Sequence, residues 1–203
     1  SFSRRQRQMC IRDRSITPCT SLTLESLCLL RDFMDVVRDA VLVAAGLGTR
    51  MFPTSAFSPK ESLPLVDVPL LTHLVLEAKE ANVERLHVVV SPTKSFAPWL
   101  ENRRHLHALQ AHLDESLFHA AEGMDVQVHV QMEPKGVANA LEAALDAVDG
   151  PFLVMLGDNL LMDVHAPTAA YAPSNASKRL VEAFMDHGEA VVGLMEVAAE
   201  DVG

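Results

Sequence analysis

Short apolar runs that are rich in β-branched residues recur along the chain and predict β-strands. Runs of this length with few polar residues are typical of strands covered on both faces, as in a parallel sheet. The runs are AVLVAA (40–45), LHVVV (86–90), VQVHV (126–130), PFLVML (151–156) and AVVGLMEV (190–197). They predict strands separated by intervals that are long enough to hold helices.

Helical periodicity fills those intervals. After Pro69, which suits a first helical turn, apolar residues recur at positions 70, 71, 74, 75 and 78. Further helices are predicted over about 103–121, from Gly136 to 148, and over 177–188, with Gly188 as the stop. Strand alternating with helix indicates βαβ units. We therefore predict an α/β fold with three layers, α/β/α, around a mostly parallel, Rossmann-like sheet.

Composition and charge narrow the class of protein. The chain has 203 residues, 49% of them hydrophobic and 22% charged, which is enough to form a globular core. Its net charge of −10 argues against binding to nucleic acid, and no apolar run approaches the length of about 18 residues that a membrane-spanning helix needs. The cysteines Cys10, Cys19 and Cys28 form no CxxC pair, which suits a reducing compartment. We expect a cytoplasmic protein without a membrane partner.

The N-terminus differs from the rest of the chain. SFSRRQRQMCIRDRS carries five arginines against one aspartate, a pattern that fits either a transit peptide or translated sequencing-adapter read-through. We favour the second interpretation and treat residues 1–14 as a non-native tail. Residues 15–38 are then an N-terminal extension, of which 22–38 form a short amphipathic helix or remain loose. Residues 39–203 are the predicted domain.

Parallel sheets bind ligands where their strands end, and three predicted strands are followed by unusual loops. AAGLGTR follows the first strand, and its Gly46 and Gly48 allow backbone N–H groups to approach an anion, while Arg50 suits phosphate oxygens. It is neither a dinucleotide fingerprint nor a Walker A loop. Gln131 ends a later strand, and its side-chain amide offers a donor and an acceptor side by side. Asp158 ends another in the sequence GDN, and a carboxylate there suits Mg²⁺.

A set of regularly spaced histidines does not predict a metal site. His105, His112 and His119 recur every seven residues and would share one face of the helix predicted over 103–121. Two helical turns separate neighbours by roughly 10 Å, which is too far for one metal ion. We predict a solvated or half-buried face there.

Two of the loops belong to longer patterns that resemble the sugar-phosphate nucleotidyltransferases, most closely those of the bacterial and archaeal UTP–glucose-1-phosphate uridylyltransferase type. The family signature AGLGTR, followed after some ten residues by PKE-x-LP-x-x-D-x-P, is matched by Ala45 to Arg50, Pro59, Lys60, Glu61, Leu63, Pro64, Asp67 and Pro69. The second family pattern, Q-x-E-P-x-G-x-x-H-A, is matched by Gln131, Glu133, Pro134, Gly136 and Ala140.

The resemblance implies a sheet of the nucleotide-diphospho-sugar transferase type and a set of roles. UTP and a sugar 1-phosphate, by resemblance glucose 1-phosphate, would give a UDP-sugar and pyrophosphate with Mg²⁺ as cofactor, in a protein that could be a homo-oligomer. Arg50 and Lys60 would be catalytic, and Asp158 would bind the metal. The implied nucleotide-binding residues are Ala45, Gly46, Leu47, Gly48, Thr49, Gln131 and Gly136.

Departures from the family pattern keep alternatives open. The family commonly has His where Asn139 stands, Lys where Val68 stands, and often a Lys within what is here SAFS (55–58). GDN at 157–159 is also similar to the thymidylyltransferase branch, so dTTP is an alternative substrate. An inactive nucleotide-binding or regulatory homologue is the other alternative. The family domain is longer than this chain, and we expect the sugar site and a second metal ligand beyond residue 203.

Overall fold

A mostly parallel sheet forms the centre of the molecule. The computed structural model describes residues 10–12, 36–162 and 166–194. The strands are β1 (Cys10–Arg12), β2 (Asp39–Val43), β3 (Pro64–Leu65), β4 (Val68–Pro69), β5 (Arg85–Val90), β6 (Asp125–Val130) and β7 (Phe152–Leu156). The sheet has the order β1-β7-β2-β5-β6, and β3 and β4 form a separate hairpin. Strands β7, β2, β5 and β6 are parallel, whereas β1 is antiparallel to β7.

Helices cover both faces of this sheet. They are α1 (Leu70–Glu80), α2 (Ala97–Leu100), α3 (Val137–Glu142) and α4 (Ala176–His187). Leu42 of β2 belongs to the apolar cluster that includes Leu74 of α1 and Phe184 of α4. Its neighbour Val41 faces the other way and packs in the cluster that contains Ala140 of α3. The predicted three-layer α/β/α fold is therefore confirmed.

The element boundaries confirm several predictions made from local signals. Helix α1 follows Pro69 directly, and α4 stops just before Gly188, whose φ of 68° is the left-handed conformation typical of a helix stop. The runs at 40–45, 86–90, 126–130 and 151–156 all contain strands. Both helices therefore combine an apolar pattern with a proline or glycine that marks one end.

The predicted helix over about 103–121 is wrong. This segment forms two 3₁₀ helices, Arg104–Gln110 and Glu115–Phe118. Asp114 interrupts it, because its carboxylate accepts hydrogen bonds from Ser116 N at 2.9 Å and Ser116 Oγ at 2.6 Å. Asp114 N also donates to Thr168 O at 2.7 Å, which fixes the break. The assumption that the three histidines share one helical face is therefore wrong as well.

The ends of the chain depart from the predictions or lie outside the described residues. Among residues 190–194 there is an isolated bridge at Val192 in place of a strand, and 195–197 are not described. Gly193 lies against α4 instead, since a Cβ on it would be 3.4 Å from Leu180 Cδ1. Residues 1–9 and 13–35, which include most of the proposed tail and extension, are not described. No helix in the described ranges is long and apolar enough to cross a membrane.

The topology places a crevice between β2 and β7. The chain passes from β2 outward to β5 and β6, and then crosses to the other side of β2 to form β7. In open α/β sheets, ligands bind at the carboxyl ends of the strands where the strand order reverses in this way. The loops after β2 and β7, residues 44–51 and 157–159, flank that point.

Candidate functional site

The loop after β2 needs glycine for both its conformation and its packing. Gly48 has φ 66°, and a Cβ on it would lie 3.2 Å from Ser55 Cβ and 3.3 Å from Lys60 Cδ. Ser55 Oγ donates to Gly48 O at 2.6 Å. Gly46 is close to the same lysine, since a Cβ there would be 3.8 Å from Lys60 Nζ. The predicted loop and the predicted lysine are therefore packed against each other.

Lys60 meets the loop that follows β7. Its Nζ donates to Asp158 Oδ2 at 2.5 Å, across 98 positions of sequence. The side chain of Lys60 is 16% exposed and that of Asp158 is 59% exposed, so the carboxylate stays open to solvent and ligands. Gly157 permits this approach, because a Cβ on it would lie 2.9 Å from Val43 O. Two of the predicted site residues are thus in direct contact at the crevice.

Arg50 occupies the outer end of the same loop. It lies with Thr49 in the 3₁₀ helix Thr49–Met51 and is exposed. Arg50 forms no hydrogen bond or ion pair with any residue that the structure describes. Leu47, at the same exposed end, and the buried Ala45 complete the predicted loop. The structure therefore places Arg50 beside the loop without joining it to Lys60.

Sequence reasoning missed a buried ion pair beneath this loop. Lys94, in the segment after β5, donates to Glu61 Oε2 at 2.9 Å and to Glu61 Oε1 at 3.1 Å. The side chain of Lys94 is 8% exposed and that of Glu61 is fully buried. Burial raises the pKa of the Glu61 carboxyl, while the hydrogen bonds and charge of Lys94 oppose that shift. A lysine just after a buried strand at this edge of the sheet was the available signal.

A second group of predicted residues lies at the end of β6. Gln131 Nε2 donates to Gly136 O at 3.1 Å and to Asn139 Oδ1 at 3.0 Å, and Asn139 Nδ2 donates to Glu142 Oε2 at 3.2 Å. The carbonyl of Gly136 and the carboxylate of Glu142 can only accept hydrogen bonds. The NH2 groups of Gln131 and Asn139 must therefore face them, which fixes the orientation of both side-chain amides. Both protons on Gln131 Nε2 are used, which leaves its oxygen as the polar atom available to a ligand.

The surroundings of Gln131 are open. Gly136 has φ 96° and ψ −177°, a conformation that favours glycine, and a Cβ on it would meet no atom within 4 Å. A pocket of about 350 Å³ adjoins these residues. It is lined by Val130, Gln131, Met132, Glu133, Lys135, Asn139, Glu142 and Ala143. Because β6 is two strands away from β2 in the sheet, roughly 10 Å separates this pocket from the glycine loop.

Metal binding at this edge would depend on few protein ligands. In the described ranges, no group of three or more His, Cys, Asp or Glu side chains could hold a metal ion. Asp158 offers a solvent-accessible carboxylate at a strand end, and Mg²⁺ is usually held by one or two carboxylates together with substrate phosphates and waters. The donor set therefore fits a magnesium ion that arrives with a phosphorylated ligand.

Comparison with known proteins defines the class. The nucleotidyl transferase family model matches residues 39–199, and the chain belongs to this family. The chain is 30% identical over 171 residues to UTP–glucose-1-phosphate uridylyltransferase 2 of Staphylococcus saprophyticus, covering 81% of this chain and 56% of the relative. It is also 30% identical over 176 residues to the UTP–glucose-1-phosphate uridylyltransferase of Bacillus subtilis, covering 83% and 57%. The chain thus spans little more than half the length of these curated relatives.

Solved structures agree with this assignment. A UDP-glucose pyrophosphorylase complexed with UDP-glucose is 26% identical with a TM-score of 0.60, covering 75% of this chain and 54% of that one. A UTP-bound UGPase from Acinetobacter baumannii is 26% identical with a TM-score of 0.62 and the same coverage. The family resemblance and the fold that it implied are confirmed.

Proposed function

We propose that residues 39–203 form the nucleotide-binding part of an enzyme that transfers a uridylyl group from UTP to a sugar 1-phosphate. The observation that carries this proposal is the contact of Lys60 with Asp158 beside the Gly46–Gly48 loop, at the carboxyl ends of β2 and β7. An ammonium group, an open carboxylate and a glycine loop at such a crevice suit a triphosphate with its metal ion. The named relatives are uridylyltransferases that act with glucose 1-phosphate, which favours glucose as the sugar.

The base would occupy the pocket at the end of β6. Because Gln131 uses both Nε2 protons internally, its oxygen is left to accept a hydrogen bond. Uracil and thymine carry a donor at N3, whereas N3 of cytosine is an acceptor and would be rejected. The spacing of roughly 10 Å between this pocket and the glycine loop suits a nucleotide whose base and phosphates bind at the two ends.

The chemistry requires positioning and charge neutralisation. A phosphate oxygen of the sugar 1-phosphate attacks the α-phosphorus of UTP in line, the bond from the α-phosphorus to the bridging oxygen breaks, and pyrophosphate leaves. The attacking phosphate is already ionised near neutral pH, so no general base is needed. Lys60 offsets charge on the reacting phosphates, and Arg50 holds the leaving pyrophosphate. Mg²⁺, held by Asp158 and the phosphates, would supply further neutralisation when bound.

Titration of the chain with UTP, dTTP and CTP tests this proposal. We expect binding of Mg–UTP, and binding of dTTP if the pocket accepts the methyl group of thymine, but little affinity for CTP. Preferential binding of dTTP would favour the thymidylyltransferase alternative. Binding of UTP without release of pyrophosphate, in a protein that also carries a sugar site and is supplied with glucose 1-phosphate, would favour an inactive homologue. No affinity for any nucleotide would refute the proposal. We place this protein in the cytoplasm, with homo-oligomers as a further expectation.

A further inference from the structure

Lys94 links three separate segments at the base of the glycine loop. Besides its bonds to Glu61, its Nζ donates to Ala44 O at 2.9 Å and to Gly46 O at 2.5 Å. An ammonium group has three protons, and these three acceptor groups use all of them. Lys94 is also almost fully buried. It therefore has no donor left for a phosphate, although it lies beside the loop where a phosphate would bind.

The two carbonyl contacts determine which way the loop presents its N–H groups. A trans peptide unit holds its C=O and its N–H on opposite sides. The units that join Ala44 to Ala45 and Gly46 to Leu47 are trans. Because both carbonyls point to Lys94 Nζ, the N–H groups of Ala45 and Leu47 both point away from it. Neither N–H group donates a hydrogen bond to any residue that the structure describes.

We propose that Lys94 is a positioning residue, which with Glu61 holds the loop so that the N–H groups of Ala45 and Leu47 face the phosphates of the nucleotide. This inference rests on the proposed function. Glu61 balances the buried charge of Lys94. Through Lys94 it also connects the loop to the 3₁₀ helix Lys60–Ser62, which contains Lys60. The pair would therefore align two loop N–H groups and the ammonium of Lys60 as one unit.

The test compares three variants. Lys94→Met removes the nearer cation from the buried Glu61 and leaves it only Lys60, whose Nζ lies 3.9 Å from Glu61 Oε1, so the melting temperature is expected to fall. The double variant Lys94→Met, Glu61→Met removes both charges, and its melting temperature should return close to that of the wild type, because unbranched apolar replacements of a buried pair are often neutral. Lys178→Met is the control, since it removes a partly exposed lysine that pairs with Glu80 away from the loop.

Affinity for Mg–UTP, measured by calorimetry, then separates positioning from stability. We expect the double variant to bind about 100-fold more weakly, at about tenfold for each of two misaligned hydrogen bonds to charged phosphate oxygens. The Lys178→Met control should bind like the wild type. A double variant that regains both its melting temperature and its affinity would overturn the proposal, because the pair would then matter only for folding.

A readout without nucleotide keeps this inference separate from the proposed function. In the ligand-free double variant, the NMR order parameters of the Ala45 and Leu47 N–H groups should fall from about 0.85 to below about 0.6. Unchanged order parameters would overturn the claim that Lys94 holds the loop. If the wild type binds no Mg–UTP, the proposed function fails, and the order parameters still decide whether Lys94 positions these two groups.

Discussion

Replacing Glu77 of α1 with glutamine should change how the free energy of unfolding depends on pH. Glu77 is fully buried, and its Oε1 accepts from Ser177 N at 3.1 Å and from Ser177 Oγ at 2.7 Å. Its Oε2 is buried without a hydrogen-bond partner among the described residues. Burial raises the pKa of this carboxyl from 4.5 to about 7, although the bonds from Ser177 oppose the shift. The folded state therefore favours the protonated acid.

The sign and magnitude follow from that shift. Stability linked to Glu77 is fully present below pH 4.5, the pKa in the unfolded chain, and is lost as pH rises through about 7. At 1.36 kcal/mol per pKa unit, the total loss is about 3 kcal/mol, of which about 2.5 kcal/mol falls between pH 5 and pH 8. The negative charge on Glu77 also affects Tyr171. Burial and, to a smaller extent, the nearby Glu77 raise the pKa of the Tyr171 hydroxyl to about 12.

Urea unfolding at pH 5 and pH 8 measures this effect. Between these values, wild type should lose about 2.5 kcal/mol more of its free energy of unfolding than Glu77→Gln does. Glu61 and His129, whose pKa values are also shifted, contribute equally to both proteins. Glu80→Gln, at a partly exposed position on the same helix, is the matched control and should follow the wild type. Parallel pH profiles for wild type and Glu77→Gln would mean that burial does not favour the protonated form of Glu77.

Three further substitutions test the proposed site. In a protein that also carries the sugar site, Lys60→Ala should slow pyrophosphate release from UTP and glucose 1-phosphate by on the order of 100-fold or more, because a charge beside the reacting phosphates is lost; unchanged turnover would remove Lys60 from the site. Gln131→Ala should weaken UTP binding by about 1–3 kcal/mol and reduce the preference over CTP, whereas an equal loss for all nucleotides would mean that it only shapes the pocket. Asp158→Asn should remove the Mg²⁺ dependence of UTP binding in calorimetry, and a retained dependence would place the metal elsewhere.

The parts of the fold that were predicted correctly depend on local signals. Strands β2, β5 and β7 are apolar on both faces because helices cover both faces of the sheet, so their sequences are continuous apolar runs. The segment around 103–121 was predicted as a helix from the pattern of its residues. The helix does not form there, because Asp114 bonds to both Ser116 and the distant Thr168. A hydrogen bond between segments more than 50 positions apart leaves no periodic trace in a sequence.

The candidate site was likewise predicted only in part from the sequence. The glycine loop, Lys60 and Asp158 were found because each lies next to a strand end and belongs to a recognisable pattern. Lys94 was missed, although it follows β5 and the carboxyl end of β5 lies at the same edge of the sheet as that of β2. Its importance comes from Glu61, 33 positions away, and from backbone carbonyls, neither of which its neighbours in sequence reveal.

Nucleotide binding at this edge of the sheet can be tested by titrating the isotope-labelled chain with Mg–UTP and following the NMR shifts of its backbone and side-chain amides. We expect saturable shifts at both ends of the proposed site, in the N–H groups of Ala45 and Leu47 and in the side-chain amide of Gln131. CTP should shift the loop signals more weakly and leave the Gln131 amide nearly unchanged, because its N3 is an acceptor. Saturable shifts confined to other surfaces, or none, would contradict the claim that this edge of the sheet binds the nucleotide.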